Sequence, residues 1–269
     1  MAVTRWLKDH FPRLRQAISR RWYDYFSALD KDARVLVMNY GYAALDSTPP
    51  VELLCEEEQD RYPLQMYHYL AGMVSWEGRD ALEVGSGRGG GAAYIVRRFR
   101  PRSYVGLELS GKAVEFCAGH HRLPGLSFRQ GNAEALPFED ASFDIVLNVE
   151  SSLYYPDVPR FLAEVARVLR AGGHFIYADM RYLEELPEWR EQLRASGLKM
   201  HSEQDITPNV ARALRLDVER KRGLIERHVP GILKPFFRNF SGLDGLSLSQ
   251  GQARIGQRVY LSFLLRKEG

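Results

Sequence analysis

The residues able to do chemistry gather first around a glycine turn. In D-A-L-E-V-G-S-G-R-G-G-G-A-A-Y-I-V, residues 80–96, a short apolar run carrying the acid Glu83 meets Gly85, Gly87 and Gly89, then opens into an apolar, helix-compatible segment. Strand, tight turn and helix start is the geometry that lets backbone approach a ligand closely, so a ligand is expected over these three glycines. Gly85, Gly87 and Gly90 also satisfy G-x-G-x-x-G, with Glu108 about 20 residues further on, as in dinucleotide sites. That spacing does not choose the ligand; Glu83 does. Beside a pyrophosphate its charge repels, whereas beside an ammonium or a sulfonium it attracts. S-adenosylmethionine carries both cations. Glu108 is then placed to accept from two ribose hydroxyls, a task for an acceptor-only carboxylate.

Positioning these groups takes an alternation of strands and helices. The pattern predicts strands at 81–84, 103–108, 126–130, 143–149 and 173–179, with helices at 90–99, 111–120 and 158–170. In the last of these helices Val158, Phe161, Leu162, Val165, Val168 and Leu169 follow the i, i+3, i+4, i+7 rule, and Gly172 supplies a stop. A helix over 186–196, a strand over 198–206 and a final strand over 258–265, pairing with it as an antiparallel hairpin, complete the expectation. The fold class is therefore α/β, a Rossmann-like doubly wound seven-stranded sheet. Ligands of such sheets sit beyond the carboxyl ends of the strands, where Gly85, Glu108, Asn132 and Glu150 gather.

Two helical regions flank this core. Residues 1–78 read as an N-terminal arm and lid: Trp6, Phe11, Leu14, Ile18, Trp22, Tyr25 and Phe26 recur at helical spacing, and a second helix over 56–74 turns Met66, Tyr67, Leu70 and Val74 to one side. The arm is open to three uses: packing on its own domain, joining two copies of the chain, or resting on a membrane surface. The stretch V-L-V-M-N-Y-G-Y-A, residues 35–43, reads as a buried turn or a lid edge. Residues 79–269 read as the main domain, with a helical insertion at 208–240 whose apolar face is Val210, Leu214, Val218, Leu224 and Ile225, ending in Phe236, Phe237 and Phe240.

Composition narrows the partners. With 269 residues and 45% hydrophobic side chains the chain can bury a full core. Its net charge of +3 comes from basic residues scattered among acids with no long basic run, which argues against nucleic acid and for small-molecule chemistry. Cys55 and Cys117 lack a metal-ligand spacing, so neither a zinc site nor a disulfide framework is expected. No stretch approaches about 20 apolar residues and no apolar signal core is present, so the expected location is cytoplasmic.

E-V-G-S-G-R-G-G-G, G-L-E-L-S, G-N-A-E-A-L-P-F, F-D-I-V-L-N-V-E and V-L-R-A-G-G-H-F together resemble class I S-adenosylmethionine-dependent methyltransferases over roughly residues 80–180. More narrowly, V-L-V-M-N-Y-G-Y, H-R-L-P-G-L, V-E-S-S-L-Y-Y-P, R-F-L-A-E-V, Y-A-D-M-R and E-R-H-V-P-G-I-L resemble the phthiotriol and phenolphthiotriol dimycocerosate methyltransferases, which O-methylate a hydroxyl on a polyketide-derived lipid. The resemblance implies that Glu83 with Gly85, Ser86 and Gly87 holds the methionine end of the donor, and that Glu108 takes the ribose. It further implies that Asn132, Ala133 and Glu134 meet the adenine between Leu109 and Leu136, that Asn148 faces the donor methyl, and that Tyr40 and Tyr67 close over the cofactor. The family usually has Asp where this chain has Asn132; the amide keeps an acceptor for the exocyclic amine and loses the charge.

Methyl transfer needs in-line positioning of the acceptor and exclusion of water, and a free alcohol benefits from a general base. Many related enzymes carry a histidine three residues after the position of Glu150; here it is Leu153. Glu150 is the preferred base, with the Tyr154, Tyr155 pair beside it; His201 and His228 are the candidate histidines with His174 behind them, His120 and His121 read as helix-end surface groups, and transfer by positioning alone, with no dedicated base, is the alternative. The apolar character of the arm and the insertion points to a lipid-like acceptor. Transfer to nitrogen or carbon, and a non-methylating cyclase or scaffold that holds the same cofactor, remain the alternatives.

Overall fold

The computed structural model describes residues 35–229 and 258–269 throughout, and scattered positions within 1–34 and 230–257. Nine strands form one sheet: β1 (Asp80–Val84), β2 (Ser103–Glu108), β3 (Leu126–Gln130), β4 (Phe143–Val149), β5 (Leu169–Tyr182), β6 (Lys199–Asp205), the two-residue β7 (Leu246–Ser247) and β8 (Arg254–Ile255), and β9 (Arg258–Arg266). Their order is β3-β2-β1-β4-β5-β9, with β6 on the far side of β9 and the short β7–β8 ribbon attached through Ile255 and Arg258. Seven strands thus make the body, as the pattern predicts. β1 to β5 run parallel, and β9 inserts antiparallel between β5 and β6.

Helices α1 (Arg61–Ala71), α2 (Gly90–Phe99), α3 (Gly111–His120), α4 (Val158–Val168), α5 (Leu186–Ala195), α6 (Thr207–Leu216) and α7 (Val218–His228) accompany the sheet. The two faces of the sheet bury separate cores. Met66, Leu70, Trp76, Ile95, Val210 and Leu214 seat α1, α2 and α6 on one face. Phe161, Leu162, Val165, Trp189 and Leu193 seat α4 and α5 on the other. Because side chains alternate along a strand, Leu82 and Val84 join the second core while Ala81 and Glu83 turn toward the first. One carboxyl is thereby placed inside an apolar layer.

Two expected boundaries move. The helix starting at Val158 stops at Val168 rather than at 170, because Leu169 pairs with Phe143 and the chain continues into β5 through Gly172. The expected helix over 56–74 divides into a 3-10 turn, Cys55–Asp60, and α1. In the 208–240 region α6 and α7 meet at Asp217; Val210, Leu214 and Ile225 are buried, Val218 and Leu224 half-buried. Phe236, Phe237 and Phe240, like Trp6, Trp22, Tyr25 and Phe26 of the arm, lie outside the described residues. Among the described residues no helix is long and apolar enough to cross a membrane.

Candidate active site

A cleft partly open to solvent lies beyond the carboxyl ends of β1, β2 and β4. Its floor is the glycine turn. The Gly85 and Ser86 amides both donate to the Leu107 carbonyl, at 2.8 and 3.0 Å, which folds the turn back over β2. Gly85 sits at φ +80°, and a Cβ there would stand 1.9 Å from Ser151 Oγ, so a side chain is excluded both by conformation and by space. Gly89 differs from expectation. The space where its side chain would be is filled by Phe128 and His121, so it serves packing beneath the turn rather than the cleft.

Of the residues singled out by sequence, Tyr67, Gly85, Ser86, Gly87, Glu108, Leu109, Asn132, Ala133, Glu150 and Tyr154 all line this cleft. Glu108 crosses back to the turn: Oε2 accepts from the Gly87 amide at 3.1 Å and Oε1 from the Ser110 amide at 3.0 Å. Burial raises its pKa. Asn132 lines the wall while its Oδ1 caps its own turn, accepting from the Glu134 amide at 3.1 Å.

Five expected residues stand off the cleft wall. Glu83 lies behind it, fully buried, accepting from Tyr67 OH at 2.6 Å and Tyr104 OH at 2.9 Å. Burial drives its pKa up to about 7. Tyr67 is the lining group that connects this acid to the cleft. Asn148 is buried next to the turn, where Nδ2 donates to the Val84 carbonyl at 2.8 Å and to Tyr155 OH at 3.0 Å. Tyr40 is buried and contributes its backbone amide to Glu150. Glu134 is corrected: its carboxylate accepts from the Asp157 amide at 3.0 Å, fastening the start of α4. Leu136, expected against adenine, is buried in the second core.

His201 is also corrected. It is exposed on β6 between Met200 and Ser202, where the strand pairs with Leu265 and Leu264, near His174 and away from the carboxyl ends of the parallel strands. His174 pairs across from Arg266 at that same remote end. His121 is turned inward, with Nε2 2.8 Å from the Arg88 carbonyl, and burial lowers its pKa to about 4, so it is no surface group.

The acceptor side centres on Glu150, which has the left-handed φ of +48°, a costly conformation for a residue with a side chain. Its Oε1 accepts from the Tyr40 amide at 2.6 Å and from Tyr260 OH at 2.8 Å. Oε2 has no hydrogen-bond donor among the described residues. Burial raises the pKa to about 7. Lys221, buried on α7, faces the same carboxylate and lowers it in turn. Beside it, Tyr155 OH bonds to Ser151 Oγ at 2.7 Å. Tyr104, Tyr260, Lys221, Ser151 and Gln16 all escape sequence reasoning, because only the sheet register and the arm's docking bring them here.

Two buried polar atoms next to the turn, Ser86 Oγ and Asn148 Oδ1, have no hydrogen-bond partner among the described residues. Arg88 also lines the cleft, but its guanidinium lies over the Phe116 ring, and among the described residues no lysine or arginine stands within ion-pair distance of Glu83, Glu108 or Glu150. Such a site fits a nucleoside bearing positive charge. The fold and this cleft define a class I S-adenosylmethionine-dependent methyltransferase. A family model described as a methyltransferase domain matches residues 82–177. The phthiotriol/phenolphthiotriol dimycocerosates methyltransferase of Mycobacterium tuberculosis is 41% identical over 233 residues, 86% of this chain and 85% of that protein. The fatty-acid O-methyltransferase of Mycolicibacterium smegmatis is 40% identical, over 85% of this chain and 83% of the relative. Geranyl diphosphate C-methyltransferase from Streptomyces coelicolor superposes with a TM-score of 0.67 at 19% identity, covering 94% of this chain and 98% of that one. The chain belongs to the phthiotriol/phenolphthiotriol dimycocerosates methyltransferase family.

Proposed function

We propose that the chain transfers a methyl group to a hydroxyl oxygen of a hydrophobic lipid or polyketide-type acceptor, with Glu150 as general base. The observation that carries this reading is the Glu150 carboxyl at the cleft wall. One oxygen is held by two donors, the other is left for an incoming proton, and its pKa of about 7 suits a base working near neutrality. The relatives' names, a dimycocerosates methyltransferase and a fatty-acid O-methyltransferase, support a lipid-like acceptor.

When bound, S-adenosylmethionine supplies a methyl group made electrophilic by its sulfonium. Glu108 accepts from the ribose hydroxyls. Gly85, Ser86 and Gly87 offer backbone and hydroxyl to the methionine end, and Glu83, through Tyr67, sets a negative potential there. Asn132, Ala133 and Leu109 bound the adenine. The Ser151–Tyr155 pair, held from behind by Asn148 Nδ2, defines the space next to the methyl. Glu150 Oε2 takes the acceptor's proton, Tyr154 orients the hydroxyl, and Gln16 with the 36–39 segment helps exclude water from the cleft.

One observation favours a second reading, transfer to a carboxylate oxygen. Arg258 donates to Tyr182 OH at 3.0 Å, lies close enough to Tyr154 for the two to interact electrostatically, and pairs with no acid among the described residues. The same assay separates the two: the enzyme is given radiolabelled S-adenosylmethionine with a long-chain secondary alcohol, the matching fatty acid and the matching amine, and products are fragmented by mass spectrometry. A methyl ether is the expected product and an ester supports the second reading. Methyl on carbon or nitrogen, or no transfer to any of them, overturns both.

A further inference from the structure

Leu14 and Ile18 stand one turn apart on the arm, where residues 13, 14, 16–18, 21 and 24 are helical, and each is about half exposed: 50% and 51%. Phe11, just before them, is 48% exposed. At about 100° per residue, Gln16 falls on roughly the opposite side of that helix from Leu14 and Ile18. Gln16 lines the cleft, and Asp24 further along touches Ser110, two residues from Glu108. The arm therefore has two faces with different tasks. One closes the cleft and the other holds large aliphatic side chains in water.

Charge distinguishes what the outer face meets. Residues 1–24 contain six lysines and arginines against two aspartates, while the whole chain has 37 against 34, so the remaining 245 residues carry a slight negative excess. All of the chain's net positive charge is concentrated in this arm. Arg13 and Arg21, exposed beside the apolar pair, form no ion pair with a described residue. A second copy of the chain would bring its own cationic arm or a near-neutral body, a poor match. A bilayer with anionic head groups matches both features, since basic side chains meet the head groups while leucine and isoleucine enter the acyl boundary.

We infer that the N-terminal arm docks the enzyme on an anionic lipid surface, so that the helix roofing the cleft is also the one resting on the membrane. This rests on and deepens the lipid-acceptor reading above, because an acceptor dissolved in the bilayer then meets the cleft that Gln16 lines without crossing water. The inference is tested with the full chain by co-sedimentation with vesicles of phosphatidylglycerol or of phosphatidylcholine. Binding is expected to phosphatidylglycerol and not to phosphatidylcholine, and to weaken as salt is raised from 0.05 to 0.5 M. The double substitution Leu14→Ser with Ile18→Ser, and independently Arg13→Glu with Arg21→Glu, should each weaken it at least ten-fold, with calorimetric affinity for S-adenosylhomocysteine kept within two-fold of wild type. Equal sedimentation of wild type and both variants overturns the inference, as does a dimer in light scattering that Leu14→Ser with Ile18→Ser dissociates in the absence of vesicles. Loss of S-adenosylhomocysteine binding by the wild type would instead strike the methyltransferase reading and leave vesicle docking intact.

Discussion

Two acids at the amino ends of the parallel strands and three at their carboxyl ends have opposite surroundings. At the amino ends of the strands, Asp80 bonds to Arg102 Nε at 2.9 Å, Arg170 Nη1 at 2.9 Å and Ser103 Oγ at 2.7 Å, and Asp144 shares Arg170 at 2.8 Å. The Arg102 hydrogen bonds hold Asp80 well below the usual carboxylate range. At the carboxyl ends Glu83, Glu108 and Glu150 receive phenols and backbone amides instead of guanidinium groups, and burial pushes all three upward. An acid paired within the chain is finished structure. An acid buried without an ion-pair partner destabilises the chain by itself and stabilises whatever cation or proton arrives. The difference marks the carboxyl ends as the working end of the molecule.

The largest effect should come from removing the base function and nothing else. Glu150→Gln keeps an oxygen for the Tyr40 amide and Tyr260 OH, so the local fold persists, but it cannot take a proton. The kcat is expected to fall about 10²-fold or more with S-adenosylhomocysteine affinity unchanged. A kcat within three-fold of wild type would mean that positioning alone drives transfer and that Glu150 belongs with the structural acids. Next in size is Glu108→Gln, which keeps hydrogen-bond capacity and loses charge. Calorimetry should show S-adenosylhomocysteine binding weakened roughly ten-fold. The matching change at the other end, Asp80→Asn, should leave that affinity unchanged and cost about 1–2 kcal/mol, a melting temperature lower by a few degrees. If Asp80→Asn weakened the cofactor as much as Glu108→Gln, the contrast between the two ends would collapse.

The contrast also appears in pH. Glu83 and Glu150 have folded values of about 7, above those of an unfolded chain. The native state therefore holds more protons between about pH 4.5 and 7, and the contribution of these two groups to stability declines as pH rises through that window. Asp80, depressed in the fold, acts the other way: its stabilisation is present above the unfolded aspartate pKa and is lost below it. A cationic donor binds best when Glu83 is ionised. Lowering the pH from 7 to 6 should weaken S-adenosylmethionine roughly five-fold, and Glu83→Gln should flatten that dependence. A pH-independent affinity in the wild type would show that Tyr67 and Tyr104 screen the acid from the cleft.

How far these features were legible depended on sequence distance. The glycine turn, Glu83 and Glu108 fall within 26 residues of chain, and an acid inside the apolar run of β1 announces itself. The strand–helix alternation gave the sheet for the same reason, since each unit is local. Around Glu150 the partners are Tyr40 and Tyr260, each 110 residues away, and Lys221. Tyr260 arrives only because β9 inserts antiparallel between β5 and β6, a register that hydrophobic alternation does not specify. For Glu134 and His201 side-chain chemistry carries no placement: the Glu134 carboxylate accepts from the amide of Asp157, and His201 lies on β6 near the end where Asp80 and Asp144 are paired.

The smallest effect tests whether that distant assembly tunes the base or only holds it. Tyr260 is fully buried, and its hydroxyl donates to the Glu150 oxygen that also takes the Tyr40 amide. The donation favours the carboxylate and so opposes burial, the larger influence. Tyr260→Phe keeps the ring in the core and deletes only that donor. The pKa of Glu150 should then rise by about 0.5–1 unit, because one neutral hydrogen bond contributes about 1 kcal/mol. A base with a higher pKa is ionised less at a given pH, so the rate at pH 6.5 should drop a few-fold while the plateau above pH 8.5 stays close to that of wild type. The acidic limb of the kcat–pH profile would move to the right by the same amount. An unshifted limb with a lowered plateau would instead make Tyr260 a packing residue, and the control of the base would then rest with the Tyr40 amide and Lys221.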